Sequence, residues 1–265
     1  MKTFKRSQII VTTICIMLGV NTALAAGPGF GNHRGSSACL PGAIVSQLPY
    51  EELSQQEQDG LLKMREEEKL ARDVYMYLND LWQDAVFSNI SQSEQRHMDA
   101  VAALISKYNL QDPVANMGPG QFNSAEMQDL YNSLTQKGTA SLEEALMVGA
   151  TIEDLDIKDL EELLAATDNQ DIQTVYQNLV KGSRNHLRAF TARLAAMGDT
   201  YTAQFLTQDQ VDTIINSPWE RGRVDKDGNT VAGPGRSGGG HGAMGRGNRA
   251  NFIDMNGDGI CDNRQ

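Results

Sequence analysis

Between about residues 48 and 206 the apolar residues recur every three to four positions, the period of an amphipathic helix, and no run alternates convincingly with the period of two that marks a strand. Ser54 to Glu57, read Ser-Gln-Gln-Glu, has the form of a capping box. The stripe behind it (Leu61, Met64, Ala71, Tyr75, Leu78, Trp82) predicts a long first helix ending near Trp82. A second helix is predicted over residues 90–108, and a shorter one after Ser124. A further capping box, Ser141 to Glu144, opens a helix to about Ala166, and a last long helix ends at Gly198. The expected fold is therefore all-α, with four long helices and one extra short one.

The stripes are interrupted in a regular way. Glu68 is the one charge on the first stripe. The second reads Ile90, Glu94, His97, Val101, Leu104 and Tyr108. The third carries Glu153 and Asp156 between Gly149 and Leu160, and the fourth carries Ser183 and His186 between Leu179 and Phe190. A bland reading exists for one of these, because Ser91 to Glu94 also fits a capping box and would make Glu94 the start of the second helix. Burying an ionised carboxylate is costly unless it is paired or holds a metal, and no Lys or Arg occupies the stripes. Of four histidines, two lie on these stripes.

Helices that donate Glu, Glu-x-x-His, Glu and a further His to one centre follow the ligand plan of di-iron and di-manganese bundles. Oxygen and nitrogen donors suit iron or manganese, with zinc as another ion the set can take. The chemistry expected of such a centre is redox chemistry with dioxygen or peroxide, or metal handling. A protonated, hydrogen-bonded carboxylate cluster in a purely structural bundle is the competing reading. Glu66 and Glu67 fall off the stripe and are expected in solvent; Arg72 is expected to pair with a surface acid and Tyr75 to pack in the core, although both lie near enough to Glu68 to orient its carboxylate.

Composition narrows the setting. Residues 1–25 carry Lys2, Lys5 and Arg6, then an apolar run, then "ALA" ending at Ala25, the layout of a secretory signal peptide. The mature chain is expected to be secreted or periplasmic, with no membrane span, since the apolar run is short for one. The formal net charge of −11 becomes more negative when those three basic residues leave, which argues against nucleic acid and suits a protein that attracts cations. Residues 26–47 and 233–250 read as glycine-rich flexible segments, with a short helix and linker over 207–232. Cys39 and Cys261, one in each flank, are free to pair in an oxidising compartment. At 251–265, Asp254, Asn256, Asp258, Ile260 through its carbonyl, and Asp262 take positions one, three, five, seven and nine of an EF-hand-type loop. Gln265 stands where the twelfth-position glutamate belongs, so the loop reads either as a weak calcium site or as a plain turn.

The stretches "MREEEKLARDVY", "FSNISQSEQRHMDAV", "VGATIEDLDIKDL" and "GSRNHLRAF" together resemble the ferritin-like family known as domain of unknown function 2202, and the first two more distantly resemble rubrerythrin. The resemblance covers residues 48–206 and implies a ferritin-like four-helix bundle. Carried over residue by residue, it implies metal ligation by Glu68, Glu94, His97, Glu153 and His186. Where a second Glu-x-x-His would place its glutamate, the chain has Ser183, and Asp156 is the residue placed to supply the lost carboxylate. The chain has none of the Cys-x-x-Cys pairs of rubrerythrins, so sustained turnover would need an external reductant. A non-catalytic metal-binding or cell-surface module is the alternative to a di-metal oxidoreductase.

Overall fold

The computed structural model of the protein describes residues 45–231. The predicted signal segment, the glycine-rich segments flanking the helices, Cys39, Cys261 and the loop of Asp254, Asn256, Asp258, Ile260 and Asp262 lie outside the described residues. Within them the fold is all-α. Helices α1 (Gln55–Trp82), α2 (Ala85–Lys107), α3 (Ala125–Gly138), α4 (Leu142–Ala166), α5 (Gln170–Ala196) and α6 (Gln208–Asn216) precede a small antiparallel pair, β1 (Arg223–Val224) and β2 (Thr230–Val231).

Helix ends follow the local chemistry. The capping box at Ser54 forms in full, the Glu57 N–H reaching the Ser54 hydroxyl at 3.2 Å and the Glu57 carboxylate accepting from the Ser54 N–H at 2.8 Å. Helix α1 ends where Gln83 turns left-handed (φ 53°), and Asp84 at once caps α2 by accepting from the Val86 N–H at 3.1 Å. The second helix therefore starts earlier than residue 90, and the capping-box reading of Ser91 and Glu94 is wrong. Ser91 lies inside the helix and donates its hydroxyl back to the Ser88 carbonyl, a common habit of mid-helix serine. Ser124 and Ser141 cap α3 and α4 as the sequence predicts.

Helix α1 packs along α2 and α4 along α5; the two pairs meet through α1 against α4 and α2 against α5, while α3 lies on α1 and α4. The predicted stripes face inward: Leu61, Met64, Tyr75, Leu78, Leu104, Leu146, Leu160 and Phe190 are fully buried. Each such side chain contributes roughly 1.5–3 kcal/mol of burial free energy, which is what holds polar groups in the same layer. Gly149 leaves its room to the ring of Phe190, which stands 2.5 Å from where a Cβ would be, and not to the neighbouring acids. The segment read as a linker after α6 includes the β1–β2 hairpin. Asn178 of α5 holds it by both amide atoms, donating to the Val224 carbonyl at 2.8 Å and accepting its N–H at 3.0 Å.

Candidate metal centre

The four long helices converge their inward acids and imidazoles. Glu68 of α1, Glu94 and His97 of α2, Glu153 of α4 and His186 of α5 are all buried, and Asp156 of α4 is half-buried. They form two triads, Glu68–Glu94–His97 and Glu94–Glu153–His186, with the donor atoms of each within 4.8 Å of one another. Glu94 belongs to both. Its Oε2 lies 2.8 Å from His97 Nδ1 and its Oε1 lies 2.7 Å from His186 Nδ1. Glu68 Oε2 completes the first triad at 3.2 Å from His97 Nδ1, and Glu153 Oε2 the second at 3.4 Å from His186 Nδ1. The two imidazoles are stacked, 5.4 Å between centroids and 28° between planes.

Several of these atoms lack the hydrogen bonds that buried polar groups normally make. Glu68 Oε1, Glu94 Oε1 and both ring nitrogens of His186 are buried with no hydrogen-bond partner. Glu94 Oε1 and His186 Nδ1 stand 2.7 Å apart without making a hydrogen bond, so the contact is proximity of two potential ligand atoms. Apart from the Glu68–His97 hydrogen bond at 3.2 Å, these converging and unpartnered atoms offer what a shared cation would use. The donor set also fits by charge. Four carboxylates with two neutral imidazoles balance two divalent ions, and hard oxygen with imidazole nitrogen suits iron, manganese or zinc.

Without a cation the cluster holds protons. Burial pushes Glu68 well above the usual carboxylate range, helped by the charges of Asp156 and Glu94, and burial with the Glu153 charge does the same to Asp156. Burial raises Glu153 to about 7 against the opposing pull of His186. Glu94 goes the other way: burial would raise it, but the imidazoles of His186 and His97 together hold it far below the usual range. His186 is the mirror case, lifted to about 10 because Glu94 and Glu153 outweigh its burial, whereas burial wins at His97 and lowers it. Ligation needs neutral imidazole and ionised carboxylate, so a cation entering here displaces protons.

Neighbouring residues fix the donors. The Tyr75 hydroxyl donates to Glu153 Oε1 at 2.6 Å, so Tyr75 orients a candidate ligand in addition to filling the core beside Phe190. Asp156 stands outside both triads, where it accepts the Ser183 hydroxyl, so the two positions that the sequence singles out as substitute and gap are bonded to each other. Gly182 carries no sequence signal but is needed. A Cβ there would lie 2.5 Å from His97 Nε2, so the ring rests directly on the α5 backbone. Arg72 pairs not with a surface acid but with the fully buried Asp73, at 2.7 Å, and with Gln95.

Glu67 is a further correction. It is not solvated: its side chain is only 11% exposed, its Oε2 is buried without a partner, and burial lifts its carboxyl to about 8 despite Lys63 3.2 Å away. Glu66 is half-buried as well. Both miss the α1 stripe, but α3 and α4 pack on α1, and Glu67 shares a cavity wall with Leu130 and Leu134 of α3 and Asp156 of α4. Among the described residues, the buried Lys69, Arg65 and Arg188 are engaged away from the triads, with Asp73, Asp112 and Glu220 respectively, and the buried Lys181 donates to the Gly222 carbonyl. None neutralises the central acids.

Residues 57–218 match the family described as an uncharacterized protein domain, DUF2202. The chain is 52% identical over 178 residues to the uncharacterized protein MJ0754 of Methanocaldococcus jannaschii, a match covering 67% of this chain and 96% of that protein. The crystal structure of hypothetical protein MJ0754 from Methanococcus jannaschii superposes with a TM-score of 0.64 at 51% identity, covering 65% of this chain and 99% of that one. The relative is thus almost entirely the helical domain, which here carries additional chain at its ends. With most of its helical domain inside the matched span, this chain belongs to the DUF2202 family.

Proposed function

We propose that the chain is an exported ferritin-like di-metal carboxylate protein, a four-helix bundle in which Glu68, Glu94, His97, Glu153 and His186 hold two divalent ions, with iron the favoured metal. Its activity is that of a ferroxidase or of an oxidoreductase that reduces dioxygen or peroxide. The observation that carries this reading is the division of Glu94, one carboxylate oxygen facing each imidazole from opposite triads. That division gives each imidazole its own carboxylate oxygen, the arrangement a carboxylate shared by two ions would need. Iron held by these residues would supply the electrons and the place where an oxidant binds.

The chain's own groups do the rest. Glu94 would be shared between the two ions, with His97 in one triad and His186 in the other. Tyr75 keeps its proton on the hydrogen bond to Glu153 Oε1, leaving Oε2 as the donor on the His186 side. Ser183 holds Asp156 at the edge of the cluster, where its charge offsets that of the ions. Turnover draws on an external reductant, since no Cys-x-x-Cys pair is present. The Asp254 to Asp262 loop is read as a weak calcium site of the same exported chain.

The competing reading is a non-catalytic module, favoured by the hydroxyls of Tyr75 and Ser183, which partly satisfy Glu153 and Asp156 without any ion. Anaerobic loading with ferrous iron followed by exposure to dioxygen or peroxide separates the two. An oxidoreductase gives a ferric absorption band that develops faster than iron oxidises in buffer and with a fixed stoichiometry per chain. Oxidation at the buffer rate would leave the module.

A further inference from the structure

A cavity of ≈ 60 Å³ lies against the acids, walled by α1, α3 and α4. Its wall includes Glu67, Glu94, Thr151, Glu153 and Asp156, yet the surface it presents is overwhelmingly apolar, because Leu70, Ala71, Leu130, Leu134 and Ile152 cover most of it. Phe205, another wall residue, is itself 44% exposed, so the outer end of the cavity lies at the protein surface. This is the arrangement of a passage that ends at the centre.

The lining decides what fits. A buried water needs about 10–15 Å³ and two to four polar partners, so the volume is sufficient for an occupant of a few atoms but the walls supply little bonding. A hydrated cation would shed polar contacts worth several kcal/mol in crossing aliphatic walls, and hydrogen peroxide, with two donors and its lone pairs, would exchange full hydration for the few polar groups at the wall. An uncharged diatomic gas loses nothing. Resting on the di-metal reading, we infer that this cavity is the binding and access site for dioxygen, and that metal ions and peroxide reach the centre by other routes.

The test is crystallography of the full chain under xenon pressure, with and without metal, joined to oxidation kinetics of the iron-loaded protein. Ala71→Leu grows into the cavity from α1, and Leu134→Ala enlarges it from α3. Xenon is expected between Ala71, Leu134 and Ile152 in the wild type, more strongly in Leu134→Ala, and not in Ala71→Leu. Ala71→Leu should keep its metal content while dioxygen oxidation slows about tenfold, equivalent to about 1.4 kcal/mol of lost occupancy. Its oxidation by peroxide should stay within a factor of about two, a fraction of that energy. Absence of xenon from the wild-type cavity overturns the inference, as does an unchanged dioxygen rate or equal slowing with both oxidants. If Ala71→Leu does not fold, xenon in the wild type and Leu134→Ala decides. Protein that binds xenon there but takes up no metal would sink the di-metal reading and the role for dioxygen with it.

Discussion

Gly182→Ala should act opposite to an ordinary glycine replacement in a helix. In a helix interior Gly to Ala gains roughly 0.8–1 kcal/mol, from backbone entropy. Gly182 lies inside α5, but its added Cβ would stand 2.5 Å from His97 Nε2 and 2.6 Å from Cε1, against an ordinary contact of 3.4–4 Å. The imidazole must retreat by about 0.9 Å, and overpacking of this kind costs about 1–3 kcal/mol. The metal-free variant should therefore range from unchanged to about 2 kcal/mol less stable. A metal site tolerates about 0.2 Å in its bond lengths, so the ion held by His97 should be lost and metal content should fall from two per chain towards one. Gly60→Ala is the control, because its Cβ would crowd the flexible end of the partly buried Leu163, at 2.7 Å, and meet the Tyr176 hydroxyl at an ordinary 3.6 Å. Thermal unfolding in chelator, with elemental analysis of reloaded protein, measures both effects. A Gly182→Ala protein that keeps two metals and gains stability as Gly60→Ala does would refute the placement of His97.

Tyr75→Phe removes the donor to Glu153 Oε1 and should cost about 1 kcal/mol of metal-free stability, yet lower metal affinity at the His186 side by about 10–100-fold. A titration with cobalt that shows two unchanged sites would reduce Tyr75 to a core residue. Asp156→Asn keeps the shape and the Ser183 contact but removes the fourth negative charge, so occupancy should drop from two metals towards one. Undiminished occupancy would mean that three glutamates and two histidines suffice. Far from the centre, burial alone would raise Glu57, but hydrogen bonds from Thr167, Ser54 and Asn169 hold its carboxyl below the usual range. A depressed carboxyl adds stability above its unfolded pKa and loses it as pH falls through the lower folded value. Glu57→Gln should therefore be less stable at neutral pH, by about 1–3 kcal/mol, with a gap that closes in acid. A gap of constant size in chemical denaturation from pH 7 to pH 3 would contradict the linkage.

The helices were legible because burial imposes a period, and the acids at 68, 94 and 153 were legible because each breaks an apolar stripe that otherwise holds. What escaped depended on partners distant in the chain. Ser91 and Glu94 imitate a cap, and only the left-handed turn at Gln83 reveals that Asp84 already fills that role. Glu67 is off the stripe on a helical wheel, but a wheel drawn for α1 alone cannot include the covering helices. Tyr75 was visible as an aromatic on the stripe; its bond to Glu153 joins residues 78 positions apart. Gly182 is a weak helix former inside α5, and its importance lies in the ring of His97 against it.

The central claim is that Glu94 links two metal positions. Elemental analysis of wild-type protein and Glu94→Ala, each loaded with iron and desalted, tests it most directly when circular dichroism is recorded on the same samples. Glu94 lies well inside α2, far from its cap at Asp84, so its removal should leave helix content intact. Two metals per chain in the wild type and none in Glu94→Ala is the predicted result. Equal metal content in the two proteins would contradict the account, as would a variant that loses stability but keeps both metals.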